Sequence, residues 1–534
     1  MSDRADCDVL IVGGGPVGLV TGCELLQRGV RVRLVDAERR FTRHSRANVL
    51  WPRIMELLDR IDVTRRLTGR GHPVSGVGYF SQGRRIGDVP MDGTPTRYPF
   101  ALVISQNTVE EVLRERFAEL GGTIESGLRL TGLDRTAPDG TVLSTLEDAD
   151  GTAHHIRSDW LVGADGAHST TRELLGVDFE GDVVDVSFAV ADAPVEGAPD
   201  DDMTYYCYSP DGGLALGPFG EGLWRLAITV PHQEPGAAPP GREVFQQAVD
   251  ERAPGHAVVG ELRWSAVFRA RCRIAATFRA GRCLLAGDAA HITSPAGGQG
   301  MNTGIQDAVN LAWRLAGVVD GSLRDVVLDH YDSERRAAAH HVARTTTAQT
   351  KWGMARTPKR ILLRDGLFHL AHRSGLLRRR ITPLVSQLGV SYDSPASGPS
   401  LAPGIRPGER VPLPLAPVNG RRVLARDEPS VLLWPGRAGS GGDWQRVKER
   451  LHKELAGLAQ VAEPDAVVRR RLRAALGGRP LAVVVRPDGH LAAAVPPDDP
   501  EAVAQALYTL GVRPAARQGE QVHAHDTTPT GGAR

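Results

Sequence analysis

Three apolar runs, each closed by a glycine-containing turn, constrain this 534-residue chain more than any other feature. The first, Val9-Leu10-Ile11-Val12, enters Gly13-Gly14-Gly15-Pro16-Val17-Gly18 and then a helical pattern with apolar Leu19, Cys23 and Leu26. A dinucleotide site needs this succession of strand, turn and helix: Gly13 makes the tight turn, Gly15 admits a pyrophosphate to the backbone, and Gly18 lets helix and strand pack closely. The pyrophosphate then rests on a helix N-terminus, where free amides and the dipole favour negative charge. A further strand over 30–35 ends at Asp36, the distance at which an acid accepts ribose hydroxyls. The second run, Leu161-Val162-Gly163, closes in Ala164-Asp165-Gly166, and the third, Cys283-Leu284-Leu285-Ala286, closes in Gly287-Asp288.

A carboxylate at the end of a buried strand can lie against a polyol chain, and a ligand held both at Gly13 and at Asp288 has to be long. FAD has the length and the parts. The glycine loop alone does not separate NAD from FAD, so the assignment rests on later residues. Arg46 lies in Ser45-Arg46-Ala47-Asn48, and Gln106 precedes a helical pattern over 109–118. Taken in this order, these elements resemble the FAD-dependent aromatic hydroxylases, the single-component flavoprotein monooxygenases, over about residues 5–395. The resemblance implies that Asp288 binds the ribityl chain and that Asp165 and Gly166 serve both FAD and incoming NAD(P)H. It further implies that Arg46 and Gln106 contact the pyrophosphate and adenosine side, with Gly13, Gly15, Pro16, Gly18, Asp36 and Gly287 completing the cofactor contacts. The implied reaction uses NADH or NADPH as reductant and O2 as co-substrate. It passes through an FAD C4a-hydroperoxide and delivers one oxygen to an electron-rich aromatic ring.

The stretch Pro295-Ala296-Gly297-Gly298-Gln299-Gly300-Met301-Asn302 leads into a helix with Ile305, Val309, Ala312 and Ala316 on one apolar face. Glycines let amides approach a flat ring, and a helix N-terminus favours charge developing there. Gly300, Met301 and Asn302 are therefore expected to stabilise the anionic edge of reduced flavin. Pro295, Gly297, Gly298 and Arg46 are the catalytic candidates.

The expected fold is an α/β Rossmann-like FAD-binding domain (1–75, 101–180 and 270–395), an α+β substrate domain with an antiparallel sheet (76–100 and 181–269), and a C-terminal thioredoxin-like α/β domain (396–514). Alternating segments such as Met203–Tyr208 and Gly222–Val230 predict the antiparallel strands, with Gly212-Gly213 in a turn. Tyr206, Tyr208, Phe219 and Trp224 are the candidate substrate contacts. Six prolines between 399 and 417 mark an irregular entry to the last domain. It contains no cysteine, so dithiol chemistry is excluded there and a packing or homodimer role fits better. Residues 515–534 are polar and expected to be disordered.

Net charge is +1, which gives no reason to expect a nucleic acid or membrane partner. No apolar run approaches the roughly 18 residues of a bilayer span, and no apolar leader precedes the first strand, so a cytoplasmic protein is expected. Five cysteines without Cys-x-x-Cys spacing, and histidines away from other ligands, predict no metal. The residues leave open a Baeyer–Villiger oxygenase on the same scaffold and a flavin-binding protein without catalysis. The partner left is a small aromatic molecule, with a polycyclic polyketide or quinone favoured.

Overall fold

The computed structural model describes residues 5–39, 49–181, 183–231, 238–353, 355–394, 396–417, 422–437 and 442–513. Arg46 and the tail 515–534 lie outside the described residues.

The three apolar runs become neighbouring parallel strands of one mixed eight-stranded sheet. Cys7–Val12 is flanked by Val32–Asp36 and by Ala153–Gly163, and Cys283–Leu285 lies beyond the latter. Val12 sits opposite Gly163 and Gly163 opposite Leu285, so all three turns leave the sheet along one carboxyl edge. Ligands of open α/β sheets bind at such an edge. Continuous apolar strands are stable only when both faces are covered, and Val9, Leu10, Ile11, Leu161, Val162 and Leu284 are fully buried.

Helix Gly300–Val319 is not the one-faced helix its sequence suggests. Every residue from Asn302 to Gly317 is buried, because the helix runs between Pro16–Leu26, Pro52–Leu58 and the long helix Val327–Gly353. Its polar residues therefore need partners inside the protein.

A second sheet joins strands from two distant parts of the chain. Its order is Val258–Val259, Val183–Glu196, Leu223–Val230, Gly212–Gly220, Thr204–Ser209, Gly76–Ser81 and Arg84–Pro90, with Trp264–Arg271 also paired to Val183–Glu196. Gly212-Gly213 open a strand here instead of forming the turn, which falls on Pro210 and Asp211.

Near the C-terminus, a four-stranded sheet is ordered Gln460–Ala462, Ser430–Trp434, Leu481–Val485, Leu491–Val495. Its first pair is parallel and the others antiparallel, and helices Gly442–Glu454, Ala466–Leu476 and Pro500–Leu510 accompany it. The turn 486–490 between its last two strands plugs into the first domain. Arg53 donates to Asp488 O at 2.7 Å, Arg60 to Pro487 O at 2.5 Å, and Arg486 to both oxygens of Glu334 at 2.8 and 2.9 Å. The proline-rich entry forms a packed strap, with Arg410 Nε on Glu56 Oε2 at 2.8 Å. Among the described residues, no helix is long and apolar enough to cross a membrane, and no cluster of His, Cys, Asp or Glu could hold a metal.

Candidate active site

At the first turn, a side chain on Gly13 would lie 2.3 Å from Ala164 O, and one on Gly18 would lie 1.9 Å from Gly13 O. Only glycine allows the two strand ends and the helix to approach this closely. Gly15, by contrast, has no protein atom within 4 Å of that position, and the helix it starts has no side-chain cap. Uncapped first-turn amides facing open space suit a pyrophosphate. Asp36 is oriented by amides, accepting from Gly14 at 2.5 Å and from Glu38 at 2.7 Å. Gln106 begins helix Gln106–Glu119, earlier than predicted, behind a Ser105 cap. These residues fit the adenosine diphosphate half of FAD.

The two acid turns differ in what their carboxylates do. Asp165 is turned into its own loop, accepting from Ser169 Oγ at 2.5 Å, Thr171 N at 2.8 Å and Thr171 Oγ1 at 2.9 Å. It shapes the turn that presents Gly166. Asp288 is exposed at the end of the buried strand, where a ribityl chain can reach it. Arg172 ties the two turns together, donating to Ala289 O at 3.0 Å and Ala167 O at 3.3 Å.

Asp307 underlies the Asp288 turn, and the sequence reading did not find it. Its carboxylate, fully buried, accepts from the Gly287 amide at 3.0 Å, His291 Nε2 at 2.6 Å and Arg335 Nε at 2.6 Å. Burial pushes this carboxyl up, but the charges of His291 and Arg335 outweigh it and hold it below the ordinary value. Arg335 continues to Tyr392 Oη at 2.9 Å and Thr303 O at 3.1 Å. The available signal was an acid set between Ile305 and Val309, two residues of the apolar helix face.

The stretch 295–302 is fastened from the opposite side. Asn302 Nδ2 donates to Val49 O at 2.9 Å and Gly298 O at 2.8 Å, its Oδ1 accepts from Trp51 N at 2.9 Å, and Trp51 Nε1 donates to Gly297 O at 3.1 Å. The Asn302 side chain is thus engaged with protein, leaving its backbone amide as the group that can face a ligand. Gly297 and Gly298 lie in the left-handed region at φ 82° and 59°, following Pro295. Nothing lies within 4 Å of a side-chain position on Gly300, so the helix N-terminus, with Met301 in its first turn, opens onto free space.

Above this loop stands one face of the second sheet. Tyr206 has the Gly297 backbone at its hydroxyl, Tyr208 hydrogen bonds with Gln349, and Tyr79 stacks on both at 5.6 and 6.5 Å. Burial pushes the Tyr206 hydroxyl up to about 12, so it stays protonated at neutral pH. Cross-strand register places Tyr206, Ala215, Ala227 and Val190 in one row, and Tyr208, Gly213, Thr229 and Phe188 in the next. Small residues therefore floor a shelf with tyrosines at one side and the stacked pair Phe188 and Phe268 at the other. At one end Arg225 pairs with Asp192 through two bonds of 2.7 and 2.8 Å, its guanidinium 5.3 Å from the Phe219 ring.

Trp224 does not belong to this shelf. Alternation along Leu223–Val230 sends it to the opposite face, where it packs near Tyr205 and lines a separate cavity of about 230 Å³ with Val195 and Pro218.

Comparison with known proteins agrees with this geometry. The FAD binding domain family matches residues 6–346. The 6-methylpretetramide 4-monooxygenase of Streptomyces rimosus is 36% identical over 514 residues, covering 91% of this chain and 90% of that protein. Pentachlorophenol 4-monooxygenase of Sphingobium chlorophenolicum is 33% identical over 353 residues, 64% of each chain. Among solved structures, OxyS anhydrotetracycline hydroxylase from Streptomyces rimosus superposes with a TM-score of 0.73 at 28% identity, covering 95% of this chain and 100% of that one.

Proposed function

The chain belongs to the FAD binding domain family and is an FAD-dependent aromatic monooxygenase, and on that premise we propose that it uses NAD(P)H and O2 to hydroxylate a polycyclic phenolic substrate. The carrying observation is the aromatic-walled shelf facing the Gly297 loop through Tyr206. The shelf spans three strand intervals from Tyr206 to Val190, about 14 Å across, which suits several fused rings better than one. The 6-methylpretetramide 4-monooxygenase matches nearly the whole chain, whereas the pentachlorophenol enzyme matches 64% of it, and this supports the same substrate class. The relatives support aromatic hydroxylation and not Baeyer–Villiger insertion.

When bound, FAD would supply the redox chemistry that NAD(P)H and O2 require for the transfer of one oxygen atom. The protein's own groups bind, orient and exclude water. Gly13, Gly15, Pro16, Gly18, Asp36 and Gln106 would hold the adenosine diphosphate, and Gly166, presented by the turn that Asp165 shapes, would hold the ribityl side together with Gly287 and Asp288. Backbone amides from Gly300 to Asn302, at the open helix N-terminus, would stabilise negative charge on the bound ring. Pro295, Gly297 and Gly298 give the loop the shape that brings these amides forward. Tyr206, still protonated, donates to a substrate oxygen, with Tyr208 and Phe219 bounding the shelf. A dry shelf favours oxygen transfer to substrate over release of peroxide.

The sheets support a division into an FAD domain (1–75, 101–180, 270–395), a substrate domain (76–100, 181–269) and a C-terminal domain (396–514), although the strand Trp264–Arg271 runs past the 269 boundary. A thioredoxin-like origin for the last is supported by its parallel pair with a connecting helix, followed by a hairpin and a helix. To test the function, purified protein is assayed for NAD(P)H oxidation with simple phenols, naphthoquinones and tetracyclic polyketides, with peroxide and product mass measured. The expected outcome is a tetracyclic phenol that accelerates oxidation and gains one oxygen atom. Oxidation that yields only peroxide across the panel would overturn it.

A further inference from the structure

The helix Pro358–Arg373 has two faces with different tasks. Its inner face closes on the substrate sheet: Phe368 tilts against Tyr79 at 4.8 Å, and Arg364 donates to Ser81 Oγ at 2.6 Å and Gly353 O at 2.9 Å. On the outer face, Leu363, Leu367 and Leu370 recur at helical spacing with Leu362 beside them, 48 to 76% exposed. Trp352, 56% exposed, adjoins the Gly353 that Arg364 holds. Single exposed leucines are ordinary, but a stripe of them on one helix marks an interaction surface.

Charge identifies the partner. Residues 351–380 contain nine Lys and Arg and one acid, Asp365, so the rest of the chain holds 64 − 9 = 55 basic and 63 − 1 = 62 acidic residues. The whole-chain charge of +1, which offered no reason to expect a membrane partner, conceals a local +8 against −7 elsewhere. Lys359 and Arg360 near the start of the helix, and Arg373, Arg379 and Arg380 at and beyond its end, are exposed and make no ion pair among the described residues. A second copy of the chain would set these cations against their own images. An anionic surface would neutralise them while accepting the leucines.

We propose that this face docks on an anionic lipid bilayer, with the leucines and Trp352 entering the acyl boundary and the cations meeting the headgroups. The same helix touches substrate-side tyrosines with its other face, so an apolar polycyclic molecule dissolved in the bilayer would be held close to the shelf.

The FAD-loaded full chain is sedimented with vesicles of phosphatidylcholine alone or mixed with phosphatidylglycerol. Binding to the anionic vesicles is expected to exceed that to the neutral ones about tenfold or more at low ionic strength, and to fall as salt screens it. Leu363→Glu/Leu367→Glu and Lys359→Glu/Arg360→Glu should each abolish binding while leaving FAD content and NAD(P)H oxidation in solution as in the parent protein. Equal binding to both vesicle types, or binding that survives both variants, overturns the proposal. So does a dimer in sedimentation equilibrium that the leucine variant converts to monomer, which would assign the stripe to a second copy.

Discussion

Asp307 holds three donors away from solvent, and two of them, His291 and the guanidinium of Arg335, reach it from different elements. Asp307→Asn leaves Arg335 buried without its counter-ion, a change that costs about 3–5 kcal/mol in comparable sites. It also removes an acceptor that fixes the Gly287 amide beside Asp288. A markedly lower melting temperature together with weaker FAD retention is expected, and parental values for both would refute the role. Trp224 and Tyr206 offer a paired test on opposite faces of one sheet. Trp224→Ala should cost about 3–5 kcal/mol through the cavity it leaves, yet keep the parent's order of preference among substrates. Tyr206→Phe should unfold like the parent but divert more reduced equivalents to peroxide, read as the ratio of peroxide to hydroxylated product.

At the level of elements, the start of helix Gly300–Val319 separates protein strain from ligand contact. Gly298 has φ 59°, and a side chain there would lie 2.5 Å from Val49 Cγ1. Gly298→Ala should destabilise the protein by more than about 1 kcal/mol, measured by denaturant unfolding. Gly300 has ordinary backbone angles and open space beside it, so Gly300→Ala should leave the FAD-free protein as stable as before. The methyl group would instead intrude where the flavin ring is proposed to lie, weakening FAD binding in a fluorescence titration. Loss of stability without loss of affinity would place the ring elsewhere.

Across the whole molecule, the C-terminal unit is joined to the flavin domain by buried charges. Glu24 and Glu334, pushed up by burial but each pulled down to about 2 by two arginines, sit at this junction with Arg60 and Arg486. An unfolded glutamate titrates near 4.5, so the unfolded chain binds protons first as pH falls. The stability these groups contribute is complete above about 4.5 and lost between there and 2. His490, pushed down to about 4 by burial, acts in the same direction from 6.5 downward, since its unfolded form charges first. Melting temperature should therefore fall with acid below about pH 6.5. Glu334→Gln should flatten the lower part of that fall, and a melting temperature that rises on acidification would contradict the scheme.

Local pattern carried much of this fold. The strand runs at 9–12, 161–163 and 283–286, the turns after them and the helix behind Gly13 could be recognised because apolar succession and glycine demand are properties of neighbouring residues. Other features depended on partners far along the chain. Trp224 left the shelf because the register of its strand decides which alternate residues face it, and Gly212-Gly213 joined a strand because Tyr208 and Thr229 flank them there. Asp307, Arg335 and the turn 486–490 could not be assigned beforehand, since a charged side chain acquires a structural role only from the opposite charge that folding brings to it. What the amino-acid order determined alone was the set of strands and turns able to hold a long dinucleotide. The tertiary structure decided which side chains line the proposed cofactor turns or the shelf and which face one another, because burial and ion pairing are set by contacts between segments from tens to hundreds of residues apart.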